Sequence, residues 1–171
     1  MKNCRAKVGR EGDTVYLLII CGQRKEKVVK CVDVKVNGNI IEVMGGRARA
    51  VLPVEVDVDL VEKAAQTIGN WFAARLNQDR GRIGYLGEML AKYIVYFACK
   101  KAKEKGMKLT KCLKSTELIT SRGKVSWKAV YQLFSNTRDL PRELVEPERW
   151  ESELPILCTL RDLGSSTSAK S

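Results

Sequence analysis

At 171 residues the chain has material for one domain, or two small ones, with a buried core. Its 44% apolar and 30% charged residues exclude a disordered chain, and the longest apolar run, Val15 to Cys21, is too short to span a bilayer. A net charge of +11 and a pI near 9.5 favour a polyanionic partner, because Lys and Arg neutralise phosphates.

No cleavable signal precedes the apolar run, so a cytoplasmic protein is expected. Histidine is absent, which removes the commonest general base and metal ligand. The six cysteines (4, 21, 31, 99, 112 and 158) form no close pair, so a zinc site is not expected. They read as buried free thiols. The Lys, Arg, Glu and Val content resembles that of thermophile proteins, where intracellular disulfides occur, so bridges are the alternative and their pairing stays open.

In chain order, residues 1–13 read as a polar, basic lead-in. Thr14 to Cys21 is a strand, and Val28 to Val36 alternates as a second. Asn37-Gly38 then predicts a tight hairpin in which Val34 faces Ile41 and Val36 faces Asn39. Val32, Val34, Val36, Ile41 and Val43 thereby share the core face, with Asp33, Lys35, Ile40 and Glu42 on the other. After Gly45-Gly46 a further strand runs from Arg47 to about Val56, completing a four-stranded meander over 14–57.

Asp59 and Glu62 predict the start of a helix that runs through Ile68 and Phe72 to about Asn77, followed by a loop at 78–82. Ile83 to Lys105 carries two apolar stripes and reads as the central core helix, with Glu88 one turn before Lys92 and Gly106 as its stop. Leu109 to Thr120 reads as weakly helical, Ser126 caps another helix, and Pro141 and Pro147 begin short helices at 141–146 and 147–154. The expected class is α+β. Its parts are a β-meander (1–57), a two-helix core (58–106), a helical unit (107–163) and a flexible tail (164–171).

Between Cys99 and Lys128 ten Lys or Arg face two acids, a net +8. The run leads into Val125-Ser126-x-x-x-Val130-x-x-Leu133, with Ile119 and Thr120 upstream. This spacing resembles the helix-turn-helix motif of DNA-binding proteins over residues 117–134, although Lys124 stands where a turn glycine is usual and Gly123 comes one position early. The resemblance implies a recognition helix from Ser126 to Asn136, with Trp127, Lys128 and Gln132 toward a groove. Lys111, Lys114, Arg122 and Lys124 would then serve the phosphate backbone. A plain amphipathic helix beside solvated lysines is the competing reading.

Asp33 facing Glu42 on a hairpin resembles the acidic pair of PD-(D/E)xK nucleases, but Met44 occupies the position of their lysine. An inactive nuclease-like fold is therefore one alternative, and a coat-type nucleoprotein that does not read sequence is another. The leading expectation is a non-enzymatic nucleic-acid-binding protein, with DNA ahead of RNA, no cofactor, no membrane partner and a homodimer allowed.

Overall fold

The computed structural model describes residues 3–44, 47–80, 85–136 and 140–147. It is α+β, with seven antiparallel strands in sequential order across one sheet. The strands are β1 (Cys4–Glu11), β2 (Thr14–Cys21), β3 (Lys27–Asn37), β4 (Ile40–Val43), β5 (Ala48–Val51), β6 (Glu117–Thr120) and β7 (Gly123–Lys124). The helices are α1 (Val58–Asn77), α2 (Leu86–Lys101), α3 (Leu109–Lys114) and α4 (Trp127–Asn136).

The basic lead-in is a strand. Cys4, Ala6 and Val8 are buried at alternate positions while Arg5 is exposed, so the period of two was present beneath the charges. Gly12, at φ 60°, opens the two-residue turn into β2. As an edge strand β1 leaves main-chain groups unpaired by the sheet. Helix α1 lies along it and takes up several of them: Asn77 accepts from the Cys4 amide (2.6 Å) and donates to its carbonyl (3.0 Å), and Gln66 donates to the Ala6 carbonyl (3.2 Å). Arg10 pairs with Asp59 (2.7 Å) and Glu62 (3.0 Å) of α1.

The β3–β4 hairpin is offset by two residues from the predicted register. Val34 faces Val43, Val36 faces Ile41 and Asn37 faces Ile40, so Gly38 and Asn39 form the turn. Gly38 takes the left-handed φ of 63°, while Asn39 is held by the chain after β5: its amide group donates to the Leu52 carbonyl (2.8 Å) and its carbonyl accepts from the Leu52 amide (2.9 Å). An offset of two preserves which side chains face the core, and Val32, Val34, Val36, Ile41 and Val43 are all buried as expected. The offset does separate the supposed acidic pair. Glu42 stands opposite Lys35 and Arg49, and Asp33 stands opposite Tyr16. The nuclease-like pairing of Asp33 with Glu42 is not formed.

Helix α1 starts two residues earlier than predicted. Asp57 is the cap, its carboxylate accepting from the Asp59 amide (3.0 Å), and the helix ends at Asn77 as expected. The core helix α2 is shorter than 83–105. Ile83 lies outside the described residues, and Ala102–Lys105 tightens into a 3₁₀ turn that Gly106 ends at φ 88°. Leu86, Leu90, Tyr93 and Phe97 of one predicted stripe and Ala91, Val95, Ala98 and Ala102 of the other are buried.

At Gly69 helix α1 comes close to the sheet. A Cβ there would sit 2.6 Å from Leu17 Cδ1 and 2.7 Å from Ala6 Cβ. Gly69→Ala gains about 1 kcal/mol of helix propensity, but overpacking costs about 1–3 kcal/mol. A net loss of stability is expected, read as a lower urea midpoint, and a higher midpoint would contradict the close approach.

Beyond Gly106 the described part of the expected helical unit adds two strands to the sheet and side chains to the core. Glu117–Thr120 is strand rather than helix, pairing with β5 from Val51↔Glu117 to Ala48↔Thr120. Leu113, Leu118, Val130 and Phe134 join the same apolar cluster as α1 and α2. Residues 141–146 are not a helix. Their backbone is held by side chains of α1 and α2 instead: Thr67 accepts from the Val145 amide (2.9 Å) and Tyr93 donates to the Glu143 carbonyl (3.5 Å). The turn at Gly45-Gly46, all but Pro147 of the 147–154 helix, and the 164–171 tail lie outside the described residues.

Among the described residues no cysteine is a free thiol. Cys4 is bonded to Cys21 and Cys99 to Cys112, with Cα separations of 4.0 and 5.3 Å. The first bridge closes the open end of the β1–β2 hairpin. The second ties the end of α2 to α3.

Candidate nucleic-acid interface

The helix-turn-helix expectation meets a different local structure. The segment that should supply its first helix is β6, and the turn Ser121-Arg122 leads into β7. The motif spacing was satisfied by a strand hairpin followed by a helix. Leu118 and Thr120 face inward from β6 and Ile119 outward, a period of two that the weak apolar periodicity of 109–120 concealed.

The second helix forms where the motif puts it. Ser126 Oγ accepts from the Ala129 amide (3.2 Å), and α4 then buries Val130 and Phe134. Phe134 packs on Tyr93 and Tyr96 of α2, with ring centroids 5.0 and 5.4 Å apart. This anchor leaves Lys128, Ala129 and Gln132 exposed on the outer face of α4.

Helix α3 has only six residues, too few to be stable alone. Cys112 and Leu113 are fully buried beneath it, and the bridge to Cys99 fixes its position. Lys111 and Lys114, three residues apart, are left on its exposed side. From there the Lys114 ammonium reaches over the indole of Trp127, 4.9 Å from its centroid. Lys128 approaches the same ring at 6.0 Å, and Tyr131 lies 6.4 Å away at a tilt of 58°. Trp127 is only half buried, packed on the core from one side. Lys111, Lys114 and Lys128 have no carboxylate partner among the described residues.

The other sequence-predicted residues go elsewhere. Lys124 stands opposite Ile119, which stands opposite Arg49, on the sheet face away from the helices. Arg122 pairs with Glu88 of α2 (2.6 Å) and lies 5.5 Å over the exposed ring of Tyr85, so Glu88 takes Arg122 as its partner rather than Lys92 alone. Neither residue joins the cluster at Trp127. Tyr131 was missed, although its place one helical turn after Trp127 was a usable signal.

No protein-family model, curated protein or solved structure matches this chain. The reading of this surface therefore rests on its own geometry. Among the described residues no helix is long and apolar enough to cross a membrane.

The Arg122–Glu88 pair has a pH signature. The hydrogen bond from Arg122 holds the Glu88 carboxyl below its ordinary pKa, against the opposing effect of burial. A depressed folded pKa gives stability that is present above the unfolded value and lost as pH falls through the folded one. Arg122→Gln should therefore flatten the loss of thermal stability on acidification below the ordinary glutamate range. The effect is small because Arg122 is largely solvated, and superimposable pH profiles would show the pair contributes nothing.

Proposed function

We propose that the protein binds nucleic acid through the surface formed by α3 and α4, without a helix-turn-helix. The single observation that supports this most is the pair of lysines from two different helices, Lys114 and Lys128, that meet over the partly buried ring of Trp127. Cations beside an accessible aromatic ring match what a polynucleotide offers, phosphates beside bases. With no carboxylate partner among the described residues, these lysines keep their charge available to a ligand. The loss of the first motif helix favours binding that tracks the backbone over reading of a duplex sequence, which brings the coat-type alternative ahead of a sequence-specific regulator.

Alanine replacement of Lys111, Lys114 or Lys128 should weaken binding to unrelated sequences alike and reduce the slope of log affinity against log salt by about one unit each. Lys124→Ala and Arg122→Ala should change it less, because one faces the opposite side of the sheet and the other is occupied by Glu88. Equal losses at all five positions would indicate charge-driven coating by the whole basic surface. Unchanged binding in the first three would overturn the proposed surface.

A further inference from the structure

We infer that the polymer bound at this surface is single-stranded, and that Trp127 is the platform on which one unpaired base stacks. The inference deepens the proposal above and rests on it. It starts from what an indole in this setting can engage. Trp127 begins α4, partly buried against the core, with Lys114, Lys128 and Tyr131 around its ring. In a duplex the faces of the bases are stacked on one another, and a side chain at the surface meets only edges and phosphates. In a single strand each base has a free face, and stacking on an aromatic ring is indifferent to sequence.

The lysines fit this use. An exposed cation–π contact is weaker than the stacking of a base on the same ring, so an arriving base can displace the ammonium groups. Both stems are long enough to move the charge from the ring to the phosphates on either side of the stacked nucleotide. Lys114 comes from α3 and Lys128 from α4, so the two charges reach the ring from different helices. Gln132 is exposed one helical turn beyond Lys128 and can bond the edge of a splayed base, which a single strand presents and a duplex hides. DNA and RNA strands share this chemistry.

The test compares oligo(dT), oligo(U) and a mixed-sequence duplex of equal length, at one salt concentration, with the full chain and three variants. Wild type should bind both strands at least tenfold more tightly than the duplex, with quenching of tryptophan emission. Trp127→Phe keeps a ring for stacking and should hold strand affinity within a few-fold while losing most of the quenching. Trp127→Ala and Trp127→Leu should each weaken strand binding by about 5- to 150-fold and leave duplex binding little changed. Leucine retains part of the apolar packing, and unchanged duplex binding by this variant shows that its loss of strand affinity is not unfolding. Equal affinity for strand and duplex, with the Leu variant binding as wild type does, overturns the single-strand inference and leaves the proposed function standing. Absence of binding to all three polymers overturns both. A preference for oligo(U) over oligo(dT), or the reverse, identifies the source of the strand and supports the inference either way.

Discussion

Serine replacement of the Cys4–Cys21 and Cys99–Cys112 pairs together is expected to lower the unfolding free energy by about 6 kcal/mol, roughly 3 kcal/mol from each bridge. The magnitude follows from loop closure. Cys4–Cys21 and Cys99–Cys112 span sequence separations of 17 and 13 residues, so the two constrain the unfolded chain to a similar degree. Against a typical total of about 5–15 kcal/mol, a loss of this size brings the protein close to unfolding at ordinary temperature. The two bridges should differ in what their loss releases. Strands β1 and β2 pair over eight residues without help from the cross-link. Helix α3 is short, and holds on through buried Cys112 and Leu113, half-buried Leu109, the Lys114–Trp127 contact and the covalent tie to α2. Cys99→Ser with Cys112→Ser should therefore loosen the carrier of Lys111 and Lys114 before the rest of the fold. Hydrogen exchange at 109–114 reads that local release, and urea denaturation reads the total. A combined loss below about 1 kcal/mol would mean the bridges do not contribute to stability as loop closure requires.

Leu90→Ala should cost about 2–5 kcal/mol. Leu90 is fully buried in α2, which carries packed side chains on most of its circumference: Leu86, Tyr93, Ile94 and Phe97 are buried with it. Truncation removes apolar contact and leaves a void whose walls, a sheet on one side and helices on the other, cannot readily close. The measurement is again urea denaturation, with the slope checked to remain that of wild type. A loss below roughly 0.5 kcal/mol would place Leu90 at a yielding site near the surface.

Much of this fold was legible locally. The 3.6-residue stripes of α1 and α2 marked both helices, because a buried face must repeat at that spacing whatever it packs against. The core side of the β3–β4 hairpin was legible for a related reason: Val32, Val34, Val36, Ile41 and Val43 keep their parity under an offset of two. The true offset was not, because Asn39 is drawn into the turn by Leu52, which lies beyond β5. In β1, Arg5 and Lys7 dominated the composition and hid the alternation of Cys4, Ala6 and Val8. For β6 the information is non-local, since Glu117–Thr120 becomes a strand by meeting Ala48–Val51. The candidate surface divides in the same way. Lys114, Trp127 and Lys128 were singled out from the sequence, but their convergence on one ring depends on where Cys99 holds α3. The separation of Arg122 and Lys124 from them depends on the hairpin that replaced the expected first helix.

The return of β6 to β5 also governs the order in which the protein can be completed. Five strands and two helices are made before the residues that cover the outer side of Ala48–Val51 exist. Until Glu117–Thr120 arrives, β5 presents a bare row of amides and carbonyls, the kind of row on which another chain can dock. Contacts so distant in sequence form slowly, which lengthens the interval of exposure. A chain halted near Gly106 would keep that row open permanently while retaining most of the apolar core, and would be inclined to associate with itself. The same closing step brings Lys114 and Trp127 into their final relation, so the proposed binding surface comes into being only as β5 is covered.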